Sequence, residues 1–413
     1  MNPIFALLAD AAIFILLAWA VWRVLGRAIP IAVVPIIIGL LLAGSGILPR
    51  EWGVPSLWGD RIGWVGVLLL AFTAGLETRH FKYAPNAAIT PDRHSSHPTR
   101  FMASAAIALL LPFVVGLIAA YFHFTQLQYW APPTGDRWLG SLAIGLCVAV
   151  SALPVLIGIV RELGPAHRPL TRVAVNLAVV DDAVLWSGLA LLLFVANRGA
   201  GNFEWSTLHG VALLTPLAMA AVSSWLQKND LTPPTWLIIV LLPAFLAAGA
   251  WASNTLGLHE LLGAYFAGVV VPPNWTRRLP VETMGRFALM ALAPLFFGHS
   301  GLKIDGDALG WASLQASVLL LVLSIGAKLL AVFVCPPVAG FSRRETLAVG
   351  ALLQCKGLME IVAATILRDK GLISEHAFAA LVTLAVLSTL LTGPAFRFIL
   401  RQRAEATAAH RTT

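Results

Sequence analysis

Apolar runs long enough to cross about 30 Å of hydrocarbon alternate along the chain with short polar joints. Thirteen can be read, at 4–26, 30–48, 62–78, 101–123, 138–160, 173–197, 207–226, 233–251, 257–272, 284–301, 309–336, 346–367 and 375–400. The joints are short and carry Pro, Gly and charge, apart from the polar stretch His80 to Arg100, which predicts a flexible loop. The pattern predicts an all-α polytopic membrane protein of thirteen transmembrane helices. Two runs are interrupted. In span five Pro154 removes a backbone donor and frees carbonyls around Ser151, and Lys356-Gly357 marks a break in span twelve. Unwound backbone at that depth is tolerated only where it lines a cavity. The interrupted spans lie seven apart in helix order, an odd number, so they run in opposite directions. That predicts two inverted six-helix repeats, residues 1–206 and 233–400, joined by a connecting helix at 207–226. The segment 401–413 is polar and Ala/Thr-rich, and reads as a disordered cytoplasmic tail.

Composition agrees with the pattern: of 413 residues 58% are hydrophobic and 12% charged, with a mean hydropathy of +0.82, which excludes a water-soluble globular enzyme. The formal charge of +8 would point to nucleic acid in a soluble protein. Its distribution says otherwise. With the N-terminus outside, nineteen Lys and Arg fall in cytoplasmic joints and seven on the other face, the positive-inside bias. The reading is therefore a multi-pass protein of the cell membrane, plasma or inner, N-terminus out and C-terminus in, with lipid and not nucleic acid as partner. The first span lacks a basic leader and a small-residue cleavage site, so it reads as a retained helix. Cys147, Cys335 and Cys355 fall within apolar runs and read as packing residues, with no disulfide framework, no Cys/His metal spacing and no cofactor. Trp19, Trp22, Trp52, Trp58 and Trp311 fall near span ends, as an aromatic belt requires.

Two of the 28 Lys and Arg are in no joint: Lys328 and Lys356 lie inside spans, as do Asp181, Asp182 and Glu360. A charge at mid-bilayer costs about 2.5 to 3.5 kcal/mol even on a lenient scale, so these groups are where chemistry is sought. At 1.5 Å per residue, Asp181 and Lys328 lie about 12 Å from the cytoplasmic ends of their spans, Ser151 about 14 Å and Lys356 about 15 Å. Four polar features on four helices share one depth, as a transporter site requires. Asp181 and Asp182 are surrounded by too long an apolar run to be a wet helix end, and Lys328 is too deep to snorkel. Lys356 and Glu360, spaced i, i+4, either neutralise each other across one turn or take part in transport. His259 and Glu260 read as a solvated helix start, and His299 as structural more than functional.

A hard monovalent cation needs oxygen donors. Asp182, Ser151 and freed carbonyls near Ala152 supply them, and protons compete for the same carboxylate. Adjacent residues on a helix diverge by about 100°, so Asp181 and Asp182 cannot form the dyad of an intramembrane aspartyl protease. A channel is disfavoured by the buried Lys328 and by the lack of a repeated filter motif. A sodium-coupled organic-anion symporter of similar inverted-repeat fold remains an alternative, as does a potassium efflux system.

The segments SALPVLIGIVRELG, VNLAVVDDAVLW, GLHELLGAYFAGVVVP and LLQCKGLMEIV, with PLFFGHSGLKID and GLLLAGSGILP, resemble the second monovalent cation:proton antiporter family, the Kef-type, plant CHX-type and sodium/proton exchangers. The resemblance implies the sodium-proton antiporter fold with crossed, broken helices. It implies a core domain of spans four to six and eleven to thirteen, a dimerisation domain of spans one to three and eight to ten, and a homodimer. It further implies that one Asp of the span-six pair binds Na+ or K+, here Asp182. Asp181 together with Lys328 looks like the electrogenic sodium/proton exchangers, whereas KGLMEIV looks more CHX-like. Glu260 and His299 depart from the small or apolar residues usual at their positions. No nucleotide-binding domain of the Kef type follows the last span, so gating by NAD or glutathione is not expected. If the cation displaces Lys328 from Asp181 and the lysine loses its proton, two protons leave per cation.

Overall fold

The computed structural model describes residues 3–25, 31–83, 98–127, 129–163, 167–199, 207–229, 233–304 and 310–409. Among these there is no strand. The first helices in chain order are α1 (Pro3–Ala11), α2 (Ala18–Val24), α3 (Val34–Ser45), α4 (Leu57–Tyr83), α5 (Pro98–Phe122) and α6 (Arg137–Ala149). Next come α7 (Leu153–Leu163), α8 (Arg168–Gly199), α9 (Thr207–Lys228), α10 (Thr235–Thr255), α11 (Glu260–Val270) and α12 (Pro273–Thr276). The chain continues with α13 (Val281–Phe287), α14 (Ala293–Leu302), α15 (Trp311–Val334), α16 (Arg343–Leu352), α17 (Leu358–Asp369) and α18 (Glu375–Ala409). Among the described residues nine helical stretches are long and apolar enough to cross a membrane, and Val34–Ser45, Arg137–Ala149 and Glu260–Val270 are shorter apolar helices. The polar stretch from His80 begins as the last turn of α4 and ends as the first turn of α5, and its middle, 84–97, lies outside the described residues.

The chain forms two compact units. Unit 1 takes residues within 1–24, 34–90 and 186–303. In it α4 packs against α11 and α14, α14 against α3, and α11 against α10. With no hydrophobic gain to be had between helices in lipid, close backbone approach supplies the packing energy. At the α4–α11 contact a Cβ on Gly75 or on Gly268 would strike the opposite backbone, at the carbonyls of Tyr265 and Phe72 respectively. Two π turns interrupt the helices: Ala12–Leu17 joins α1 to α2, and Ala288–Leu292 joins α13 to α14. The second ends just before Pro294, whose missing N–H cannot continue the regular ladder.

Unit 2 takes residues within 25–33, 91–185 and 304–413. In it α5 packs on α6 and α15, and α18 on α15, α16 and α17. Both predicted interruptions are present. Helix α6 stops at Ala149 and α7 starts at Leu153, while α16 stops at Leu352 and α17 starts at Leu358. Pro154 falls in the first turn of α7, where a missing donor costs nothing, so the break precedes it. The two breaks meet: Ala152 N donates to the Cys355 carbonyl at 2.7 Å. The tail differs from expectation, since α18 continues through Ala409. Its composition there, Arg-Gln-Arg-Ala-Glu-Ala, consists of strong helix formers, and the apolar helix before it has already met the cost of nucleation.

Candidate functional site

Breaking a helix leaves its last carbonyls without amide donors and its end with partial negative charge. At the end of α6 two buried ammonium groups fill that need. Lys328, on α15, donates to Ala149 O at 2.6 Å. Lys356, in the second break, donates to Cys147 O and Val148 O at 2.8 Å each and to Val150 O at 3.3 Å. Ser324 Oγ adds a bond to Val148 O at 3.0 Å. Gln354 ties the second break to α15, its Nε2 donating to Ser324 O at 3.2 Å and Ile325 O at 3.4 Å.

The acids lie beside these cations. Asp181, on α8, accepts from Lys328 Nζ at 2.8 Å and has Ser151 Oγ at 2.6 Å, both on Oδ2. Ser151, in the first break, is also 2.6 Å from Leu353 O. A hydroxyl has one hydrogen, so Ser151 serves only one of these acceptors at a time. Asp182, next on α8, is fully buried and lies within electrostatic reach of the Cys355 thiol. Glu360, in the first turn of α17, sits at a helix start where partial positive charge favours a carboxylate. Its Oε2 is 3.8 Å from Lys356 Nζ, an ion pair without a hydrogen bond. Between Lys356 and α17, Gly357 has φ +73°, and a Cβ there would come within 2.6 Å of Val155 Cγ2. Only glycine fits such a conformation without strain.

Asp181, Ser151 and Lys328, read from the sequence as sharing a depth, are thus in direct contact. Lys356 and Glu360 adjoin them, but Lys356 bonds chiefly to carbonyls some two hundred residues away and not to its i+4 neighbour. Ser324 and Gln354 were not singled out by sequence, since neutral polar residues in apolar runs carry no distinctive spacing. His259 N-caps α11, its Nδ1 accepting from Leu261 N at 3.3 Å, and Glu260 Oε2 accepts from Trp64 Nε1 at 3.0 Å. His299 is buried in unit 1 against Asp10 and Asp60. Asp10 was missed although it lies inside the first apolar run, where the rule that found the other five applies equally.

An all-α polytopic membrane protein, in which two broken helices meet beside buried opposed charges, is the class this fold and site define. The chain belongs to the family described as "Sodium/hydrogen exchanger, transmembrane", which it matches over residues 11–402. It is 26% identical to "Cation/H(+) antiporter 20" of Arabidopsis thaliana over 87% of this chain and 44% of that protein, so it spans under half of that relative's length. It is 24% identical to "Na(+)/H(+) antiporter NhaS4" of Synechocystis sp., over 95% of this chain and 97% of that one. Its fold is similar to the sodium proton antiporter MjNhaP1 from Methanocaldococcus jannaschii, with a TM-score of 0.56, 17% identity, and coverage of 96% of this chain and 97% of that one.

Proposed function

We propose that the protein is a secondary transporter, not an enzyme, exchanging a monovalent cation, Na+ or K+, for protons by alternating access. Asp182 and Asp181 are the competing ligands. The observation that carries this is the buried cluster at the helix crossing, where Lys328 and Ser151 converge on Asp181 beside the buried Asp182. In this reading a proton and a metal cation compete for the same carboxylates, beside which Lys328, Lys356 and Glu360 compensate charge. Cation arrival competes with Lys328 for Asp181, and in this reading two protons leave per cation.

Unit 2, which holds every one of these residues, serves as the moving core, and unit 1, with its close helix packing, as the scaffold and homodimer interface. The inverted repeats of 1–206 and 233–400 supply the two access states. The protein lies in the plasma or inner membrane, N-terminus outside and C-terminus cytoplasmic, which the nineteen-to-seven distribution of Lys and Arg supports. In proteoliposomes carrying an internal pH dye, Asp182→Asn abolishes the proton flux driven by an imposed Na+ or K+ gradient. Near-normal exchange by that variant overturns the assignment.

A further inference from the structure

Unit 1 holds a second buried group of charges that the exchange site does not use. Asp10, in α1, accepts from Ser56 N at 2.9 Å and from the Ser56 hydroxyl, both on Oδ2. Its Oδ1 is 3.0 Å from His299 Nε2. The contact is a close ion-pair approach, and neither atom has another hydrogen-bond partner among the described residues. On the other side of the ring, His299 Nδ1 is 2.7 Å from Asp60 Oδ1, which Lys303 Nζ approaches at 3.5 Å.

Counting hydrogens decides what this arrangement holds. Carboxylate oxygens only accept, and a neutral imidazole carries a single N–H. With carboxylates against both ring nitrogens, a neutral ring would set one bare lone pair against an oxygen at 3 Å or less. Either the ring carries both hydrogens or one carboxyl carries the second. In both cases the three side chains hold one proton more than a neutral imidazole with two carboxylates. We propose that Asp10, His299 and Asp60 form a proton-binding site built wholly within unit 1, whose emptying releases α1 from α4 and α14.

Surroundings and access support the site. Side-chain exposure falls from 49% at Lys303 and 40% at Asp60 to 1% at His299 and 0% at Asp10, so a contiguous line of polar atoms leads a proton from the surface to the interior. Gly59 makes the room, since a Cβ there would strike Asp10 Oδ2 and come within 3.0 Å of His299 Cε1. Phe14, in the π turn, seals the ring edge-on with centroids 5.5 Å apart. The charged groups facing His299 are Asp10 from α1, Asp60 from α4 and Lys303 from the end of its own helix. The packed helix α3 and the two π turns carry no titratable residue. Nearby, Glu51 is exposed, and Arg61 is turned onto Trp58 at 5.4 Å.

Hydrogen exchange of residues 3–17 tests this in the purified full-length chain in detergent, with rates corrected for the intrinsic pH dependence of exchange. If opening of α1 releases one proton, linkage requires its opening constant to rise by up to about tenfold per pH unit, measured from about pH 6 to 9, which spans the ordinary imidazole range and above. Asp60→Asn abolishes that slope, because the amide donates to a neutral Nδ1 and no extra proton is needed. His299→Gln abolishes it by removing the ring. A wild-type opening constant that does not change with pH overturns the site, and so does a slope that persists in Asp60→Asn. Since Asp60 is half-exposed, its variant folds even where His299→Gln does not.

Discussion

The two units bury charge in opposite ways. In unit 2 the helices are cut, and the buried lysines are consumed largely by backbone: Lys356 holds three carbonyls of the broken α6 end and Lys328 a fourth. In unit 1 no helix is cut at the polar cluster, and side chain answers side chain, with His299 set between two carboxylates. Helix contact there is made through glycine backbone. The difference teaches that a buried ammonium can be a structural substitute for missing amide donors. Unit 2 therefore carries buried charge that completes its broken backbone, whereas unit 1 joins its helices through close backbone approach.

The largest blow to this contrast is Lys356→Met, which leaves the carbonyls of Cys147, Val148 and Val150 without their cation and takes the ion-pair partner at 3.8 Å from Glu360. Breaking a buried pair from one side costs about 3 to 5 kcal/mol, so thermal unfolding in detergent shows a large fall in Tm. A small fall means the carbonyls find other donors, and the substitute role fails. Next is Gly268→Val in unit 1, where the new atoms meet Phe72 backbone. Overpacking of this kind costs about 1 to 3 kcal/mol, and exchange by the folded fraction persists if shape alone is at stake. The smallest effect is expected from Trp64→Phe, which removes the 3.0 Å bond to Glu260. For a partly buried, charge-assisted bond this is about 1 kcal/mol or less. A loss as large as that of Lys356→Met would show that polar contacts govern unit 1 as well.

Much of this was legible in the sequence, for definable reasons. Hydropathy locates the apolar helices because lipid forces every backbone group to be satisfied within its own segment. Residue counting along the spans brought Asp181, Ser151 and Lys328 to one depth, and they touch. The partner of Lys356 was not legible: i, i+4 spacing offered Glu360, while its strongest contacts are main-chain oxygens whose availability depends on where α6 stops. No side-chain pattern encodes that position, and Pro154 marks it only to within a few residues. The Asp10 cluster was not legible as a cluster, because its members are scattered over nearly three hundred residues and no spacing along the chain joins Asp10, Asp60 and His299. The helical continuation of α18 past Arg401 escaped a reading based on polarity, because polarity and helix propensity are independent properties.

The single hydrogen of Ser151 carries a last consequence. While Asp181 is ionised it is the stronger acceptor, and the hydroxyl points to it. Once Asp181 takes up a proton it becomes a donor to Oγ, and the hydroxyl turns to Leu353 O, 2.6 Å away. The charge state of one helix is thereby written into the peptide bond of another as a change in carbonyl polarisation. Isotope-labelled Leu353 would show the two hydroxyl orientations as two carbonyl frequencies.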